Sequence, residues 1–199
     1  MLFNIDVLSL VMIAFIVIIS YRIYKNSDIF QLKCIVSTVD GEKYCVRERE
    51  KINAAADRLA EVNSKLIKVV NYCAEQYPND PRVIRMKQNF NPKTIVETLP
   101  TSEFTAYSEN KGEKIAFCLD KKRKGVDNLI EPNTLTYVAL HELAHVATKS
   151  VGHPPEFWEN FKFLLIQAEA INVYQPVDYK KKPTEYCGME ITDNPYYDN

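Results

Sequence analysis

The sequence contains no CxxC pair, and its five cysteines, Cys34, Cys45, Cys73, Cys118 and Cys187, are scattered and odd in number. That excludes a cysteine-built zinc site and a dense disulfide framework. Cys34 and Cys45 flank an expected hairpin and could pair, but isolated thiols in a reducing compartment are the favoured reading. An excess of one charge is also missing. With 25 basic and 26 acidic side chains the formal net charge is −1, so nothing global calls for a nucleic-acid partner, and any basic contact surface must be local. There is no internal repeat and no low-complexity segment. A chain of 199 residues with ordinary apolar, aromatic and charged fractions forms one domain with a real core.

Basic residues are also absent ahead of the one long hydrophobic run. Val7 to Ile19 is apolar except for Ser9, and with Ser20, Tyr21 and Ile23 added and Arg22 snorkelling it becomes long enough to span a bilayer. A cleaved signal peptide wants a basic start and a small-x-small cleavage site; here the start carries Asp6, and the residues after Ile18 offer no such site. A buried core helix is rarely this apolar on every face. Residues 1–26 are therefore expected to be an uncleaved anchor, meeting the lipid bilayer through residues 7–24. Arg22, Lys25 and Lys33 follow the span, so the positive-inside rule expects a single-pass protein with its C-terminal domain on the cytoplasmic side.

Residues 27–92 read as a hairpin and a scaffold helix. Phe30–Val46 alternates about an Asp40-Gly41 turn. From Arg47 to Gln76 there is neither Pro nor Gly, and Ile52, Ala55, Ala56, Leu59, Val62, Leu66, Val69, Val70 and Cys73 mark one stripe of a long amphipathic helix. A short helix is expected over Arg82–Asn89. In residues 93–199, Thr94–Thr98 reads as a strand, and Phe104–Ser108 with Lys114–Leu119 as a hairpin about Glu109–Gly112. A helix is expected over Leu135–Lys149, capped by Asn133 or Thr134 and closed at Gly152. Another runs from Pro154-Pro155 to about Val173, burying Phe157, Phe161, Leu164, Leu165, Ala168 and Ile171. The tail from Tyr174 reads as loops.

The first of these two helices contains His141-Glu142-Leu143-Ala144-His145. Residues four apart stack on one helix face, so both imidazoles can address a single ion. Glu142 sits one residue round, where its carboxylate can deprotonate a water that zinc has made acidic, and later protonate a leaving amine. The third histidine in the chain, His153, follows the helix, and the Gly152 turn could return it to the other two. Three protein ligands with a fourth position open is the coordination of catalytic zinc. The bland alternative is a pair of ordinary helix histidines; spacing, helical context and histidine scarcity favour the metal site.

The segment HELAHVATKSVGHPPEFW resembles the WLM and SprT-like zincin metallopeptidases, which pair HExxH with a later histidine followed by an aromatic, here His153 and Phe157-Trp158. AYSENKGEKIAFCLD is similar to the strand pair that precedes their active helix. Together with Pro183-Thr-Glu-Tyr-Cys-Gly188 it looks like WLM-like proteins of large DNA viruses, over roughly residues 104–190. The resemblance implies a minimal zincin domain of helices packed on a small, mostly antiparallel sheet, so with the apolar run before it the chain is expected to be α+β, a transmembrane helix followed by that domain. It also implies a cleft along an edge strand, either Lys114–Leu119 or Phe104–Ser108, suited to an extended protein or peptide substrate. Soluble relatives act on proteins crosslinked to DNA; this chain differs in having an anchor and no recognisable DNA-binding tail.

Tyr186 is the first candidate for a donor to the oxyanion, with Tyr179 second. Glu185 could be an outer partner or an extra ligand, Cys187 could ligate, and Met189 invites comparison with the Met-turn of other zincins. The basic runs Lys121–Lys124 and Lys180–Lys182 could touch nucleic acid or anionic lipid, although solvated loops are the simpler reading. The competing function is a non-catalytic scaffold, for instance a minor virion component or part of a membrane complex. A purely structural zinc site has no need of Glu142, which favours the enzyme.

Overall fold

The computed structural model describes residues 6–26, 32–122 and 128–198. Helix α1 (Val7–Asn26) contains the stretch Val7–Tyr24, none of it buried and with mean hydropathy 2.2, so this helix is long and apolar enough to cross a membrane. Strands β1 (Leu32–Val36), β2 (Lys43–Arg47), β3 (Ile95–Glu97), β4 (Ala106–Glu109) and β5 (Lys114–Phe117) form one sheet in the order β1-β2-β3-β5-β4. Strands from residues 32–47 and from 95–117 thus share a sheet. The start of the expected first hairpin at Phe30 lies outside the described residues, as do Arg123 and Lys124 of the basic run.

The sheet is mixed, where a mostly antiparallel one was expected. The pairs β1–β2 and β4–β5 are antiparallel hairpins, but β2–β3 and β3–β5 are parallel. The reason lies in the connection. Between β2 and β3 the chain runs through helices α2 (Ile52–Gln76) and α3 (Pro81–Asn89), and a helical crossover brings the next strand back in the same direction. This order leaves β4 at an edge and encloses β5 between β3 and β4. Of the two expected edge segments, Lys114–Leu119 is therefore interior and only the β4 segment is free on one side.

Helix α2 buries the stripe its periodicity announces: Ala55, Ala56, Leu59, Val62, Leu66, Val69, Val70 and Cys73. Fully buried Leu59 and Leu66 each stabilise the fold by about 2 kcal/mol through burial. One polar residue interrupts the stripe. Asn63 donates to the Tyr44 hydroxyl at 2.8 Å and to the Pro92 carbonyl at 3.0 Å, joining α2 to β2 and to the approach to β3.

Helix α4 (Pro132–Ala147) is packed by α2, α3, β4 and helix α5 (Pro155–Ala170), and is buried on almost every face. It starts earlier than expected. Pro132 occupies the first turn, where its missing N–H is not needed and its fixed φ suits the helix. Asn133, expected as a cap, instead exchanges hydrogen bonds with the Gln175 backbone at 2.9 and 3.0 Å. The helix also stops earlier, at Ala147 rather than Lys149, with Thr148 as its cap: the Thr148 N–H and hydroxyl both donate to the Ala144 carbonyl, at 2.9 and 2.7 Å. Two cations complete that end. Arg85 donates to the Ala147 carbonyl at 2.6 Å, and Lys111 donates to the carbonyls of His145, Thr148 and Ser150 at 3.3, 2.9 and 2.5 Å. Positive charge at a helix C-terminus is favourable.

Lys111 reaches those carbonyls from the β4–β5 turn, where Asn110, Lys111 and Gly112 all have positive φ. A Cβ at Gly112, whose φ is +115°, would meet the Asn89 carbonyl oxygen at 2.8 Å and the Val146 methyls at 3.0 Å. Gly112→Ala is expected to destabilise the protein by roughly 2–3 kcal/mol, from strain plus overpacking; a midpoint unchanged in urea titration would rule this out.

The tail, expected to be loops, is part of the core. Tyr174, Tyr179 and Tyr186 are only 2%, 1% and 2% exposed. Strands β6 (Thr184–Tyr186) and β7 (Met189–Ile191) form a separate hairpin. Large aromatic side chains gain most from burial, which outweighs the polar residues between them. The thiol reading also changes: Cys34 is bonded to Cys45, directly opposite on β1–β2, and Cys118 to Cys187; Cys73 is free and buried. Four of the five cysteines expected to be isolated are therefore paired.

Candidate metal centre

His141 and His145 sit one turn apart on α4, with ring centroids 5.0 Å apart. His153 comes from the loop between α4 and α5. Its ring lies 5.0 Å from that of His141 and 4.8 Å from that of His145, and its Nε2 is 3.1 Å from the His141 Nε2. One nitrogen from each residue lies within 4.8 Å of the others. Gly152 (φ +81°, nothing near its Cβ position) makes the turn that returns His153. Phe157 forms the floor, its ring 4.8, 4.4 and 4.6 Å from the three imidazoles in chain order.

This floor and the helix packing set the protonation. Burial, and then the neighbouring imidazoles, push His141 down to about 3; burial, then His153 and Lys111, push His145 down to about 4; burial also lowers His153. At neutral pH all three rings are uncharged, with nitrogen lone pairs available. Tetrahedral zinc with Zn–N bonds of 2.0–2.1 Å places its ligand nitrogens roughly 3.4 Å apart, a spacing the cluster brackets. The donor set, neutral and all imidazole, fits zinc.

Glu142 is 4% exposed, and burial alone lifts its carboxyl to about 8. It shares with His141 the walls of two cavities. The larger, about 860 Å³, is bounded by Leu99, Phe104 and residues 106–111 on one side and by Val151, Gly152 and all three histidines on the other. Edge strand β4 therefore runs along this cleft. The smaller, about 290 Å³, lies toward Tyr137, Trp158 and the β6–β7 hairpin.

The structure brings Tyr186 into this neighbourhood. It lines the smaller cavity, its hydroxyl donates to the Thr105 carbonyl at 3.2 Å, and burial followed by the charge of Glu142 raises its pKa. The other secondary candidates are placed differently. Tyr179 packs against Tyr137 at 4.9 Å and lines neither cavity. Glu185 is exposed and stands outside the histidine cluster. Cys187, bonded to Cys118, has no thiolate to offer a metal, and Met189 is a half-exposed wall residue of the smaller cavity. In the basic runs, Lys121 pairs with Glu131, Lys180 with Asp193 and Asp198, and Lys181 with Asp178.

Three supporting features left no readable sequence signal. The Lys111 clamp holds the end of α4 and the loop leading to His153 together. The Cys118–Cys187 bond fixes the hairpin carrying Tyr186 to the end of β5, helped by hydrogen bonds from the Cys187 and Gly188 N–H groups to the carbonyls of Asp120 and Lys121, at 3.1 and 2.8 Å. Beside the hairpin lies a buried charge cluster: Arg49 contacts Asp120 at 2.8 Å and also Glu97, whose other oxygen accepts from the Arg47 N–H at 2.7 Å. Buried charges of this kind persist only when paired.

No protein-family model matches the sequence. An uncharacterised protein of Acanthamoeba polyphaga mimivirus is 28% identical over 164 residues, covering 80% of this chain and 82% of that protein. An uncharacterised protein of invertebrate iridescent virus 6 is 35% identical over 75 residues, 38% of this chain and 41% of its own. Among solved structures, the crystal structure of Wss1 from Saccharomyces cerevisiae aligns with a TM-score of 0.46 and 17% identity, covering 62% of this chain and 84% of that one.

Proposed function

We propose that this chain is a membrane-anchored zinc metallopeptidase of the HExxH type acting on protein or peptide substrates, with His141, His145 and His153 as ligands and Glu142 as general base. The observation that carries the reading is the convergence of three uncharged imidazoles on one point of a cleft wall, beside a buried carboxyl on the same helix. Held by the three imidazoles, zinc would supply a Lewis acid able to make a water acidic near pH 7 and to polarise a substrate carbonyl. Glu142 accepts the proton of the attacking water and hands it to the departing amine. Beside such a dication the Glu142 carboxyl would favour its ionised form, against the effect of burial. Tyr186, released from the Thr105 carbonyl, is the proposed donor to the developing oxyanion. The free edge of β4 offers backbone groups with which an extended polypeptide can pair.

Helix α1 is the proposed single-pass anchor. Arg22 and Lys33 after the span favour a cytoplasmic domain, whereas two disulfides favour an oxidising side. Alkylating free thiols as the cells are lysed in denaturant, and weighing the protein, decides between them: one modified cysteine, Cys73, means the bonds exist where the domain resides, and five means they do not.

The test of the site is elemental analysis of the full chain purified in detergent. Wild type is expected to carry one equivalent of zinc, and His141→Ala and His153→Ala to carry little or none. Folded wild type that takes up no zinc would remove the metallopeptidase reading and leave the scaffold.

A further inference from the structure

Of the three histidines, His153 is the one whose place is hardest to hold. His141 and His145 are fixed by the repeat of α4. His153 stands on a loop in which residues 149–153 are all exposed, Val151 to 90%. Gly152, at the turn, has open space around its Cβ position. A segment with so little packing loses backbone entropy when it is ordered. Zinc binding bears that cost unless other contacts order the loop beforehand.

Polar contacts do the ordering here. Glu156, in the first turn of α5, accepts from the Lys149 N–H at 3.4 Å and from the Ser150 hydroxyl at 3.1 Å. Lys111 approaches from outside that helix pair, on the β4–β5 turn. Its ammonium donates to the carbonyls of His145, Thr148 and Ser150 at 3.3, 2.9 and 2.5 Å. One cation thus joins the backbone of the second histidine to the loop, three residues short of the third.

A helix cap does not need this reach. Helix α4 ends at Ala147, whose carbonyl already has Arg85 at 2.6 Å, so the carbonyls of Thr148 and Ser150 lie past the helix. Backbone strain points the same way. Asn110 and Lys111 have φ of +46° and +59°, a left-handed conformation that a lysine adopts only at a cost and a glycine adopts freely. A lysine kept there against the preference of its backbone directs attention to its side chain.

We infer that Lys111 is a positioning residue for the metal: it orders the loop before zinc arrives and so sets how tightly His153 closes the three-histidine site. The inference rests on the zinc site of the metallopeptidase reading and adds to it a residue outside the ligand set that controls zinc affinity.

The test is the zinc affinity of the folded full chain in detergent, measured by competition with a chromophoric chelator. Lys111→Met keeps an unbranched stem and the strain of the turn but removes the donors. Lys111→Gly removes the whole side chain and relieves the strain. Both are expected to bind zinc roughly 10–100-fold more weakly than wild type, the loss typical when an outer partner of a metal ligand is removed. A role in stability alone lowers the melting temperature of the metal-free protein and leaves the affinity of the folded protein unchanged. Cys34→Ala/Cys45→Ala, at the other edge of the sheet, is the control; it is expected to melt earlier and to keep wild-type affinity. Wild-type affinity in both folded Lys111 variants overturns the inference, as does a loss in the control as large as theirs. Wild type that binds no zinc overturns instead the site on which the inference rests, and the wild-type titration tells the two failures apart.

Discussion

Glu142→Gln is expected to abolish peptide hydrolysis and, in the metal-free protein, to raise the melting temperature at pH 8. Both effects follow from one side chain. General-base catalysis is worth roughly 10²–10⁴-fold, and an amide cannot accept the proton, so a loss of at least that order is expected with zinc content unchanged. The stability effect comes from burial. The carboxyl of Glu142, ordinarily near 4.5, is lifted to about 8, so the folded metal-free protein holds a proton that the unfolded chain releases. That contribution to stability is complete below pH 4.5 and is lost as pH rises through 8. The interval corresponds to a few kcal/mol, on the order of 1.4 per pKa unit. Glutamine, uncharged throughout, escapes the loss. Scanning calorimetry of chelator-treated protein should therefore show the variant melting above wild type at pH 8 and alongside it at pH 4.5. Coincident melting at both would show that the carboxylate is solvated. Stability gained by deleting a functional group is the expected mark of a site held against the preference of the fold.

The histidines impose the opposite dependence. His141 and His145, lowered to about 3 and about 4, contribute stability that is present above the ordinary imidazole value of 6.5 and is lost as pH falls toward those folded values. The metal-free protein is thus squeezed from the acid side by its imidazoles and from the alkaline side by Glu142.

Removing the Cys118–Cys187 bond with Cys118→Ala/Cys187→Ala is the second large expected effect. The bond closes a loop of 69 residues, and releasing it returns roughly 4 kcal/mol of chain entropy to the unfolded state. In a chain of this size that lowers the melting temperature by roughly 10 °C. The Cys34–Cys45 bond, with a separation of only 11, should matter less when removed in the same way. A second consequence separates the two bonds. Tyr186 precedes Cys187 and lines the Glu142 cavity, and the bond is one of the contacts that hold its hairpin against the end of β5. Peptidase activity should therefore fall further than the unfolded fraction explains when Cys118–Cys187 is lost, and track it when Cys34–Cys45 is lost. Equal behaviour of the two variants would separate the hairpin from the site.

What could be read in the sequence was whatever local geometry enforces. Two histidines four apart on a helix share a face whatever surrounds them, so His141 and His145 were visible as a pair, with Glu142 between them. The stripe on α2, the two hairpins and the apolar run of α1 rest on the same fixed periods. His153 was harder, because its approach depends on the Gly152 turn and on Phe157 lying beneath it. The start of α4 differs from the expected one because Asn133, a good cap by type, bonds instead to the Gln175 backbone.

Everything depending on distant segments meeting was decided by the tertiary structure. The parallel pairing of β3 with β2 and β5 came from the path through α2 and α3, and that path put β4 rather than β5 on the cleft. The pairing of Cys118 with Cys187, the clamp of Lys111 on the carbonyls behind His145, the burial of the tyrosine-rich tail and the apolar cavity beside Glu142 arise from side chains tens of residues apart. No short-range period encodes such meetings, because each is selected by how the whole core packs. The sequence by itself determined which groups could do chemistry, through the fixed geometry of helix and strand. Packing alone decided how those groups were buried, held and given a cleft with two sides.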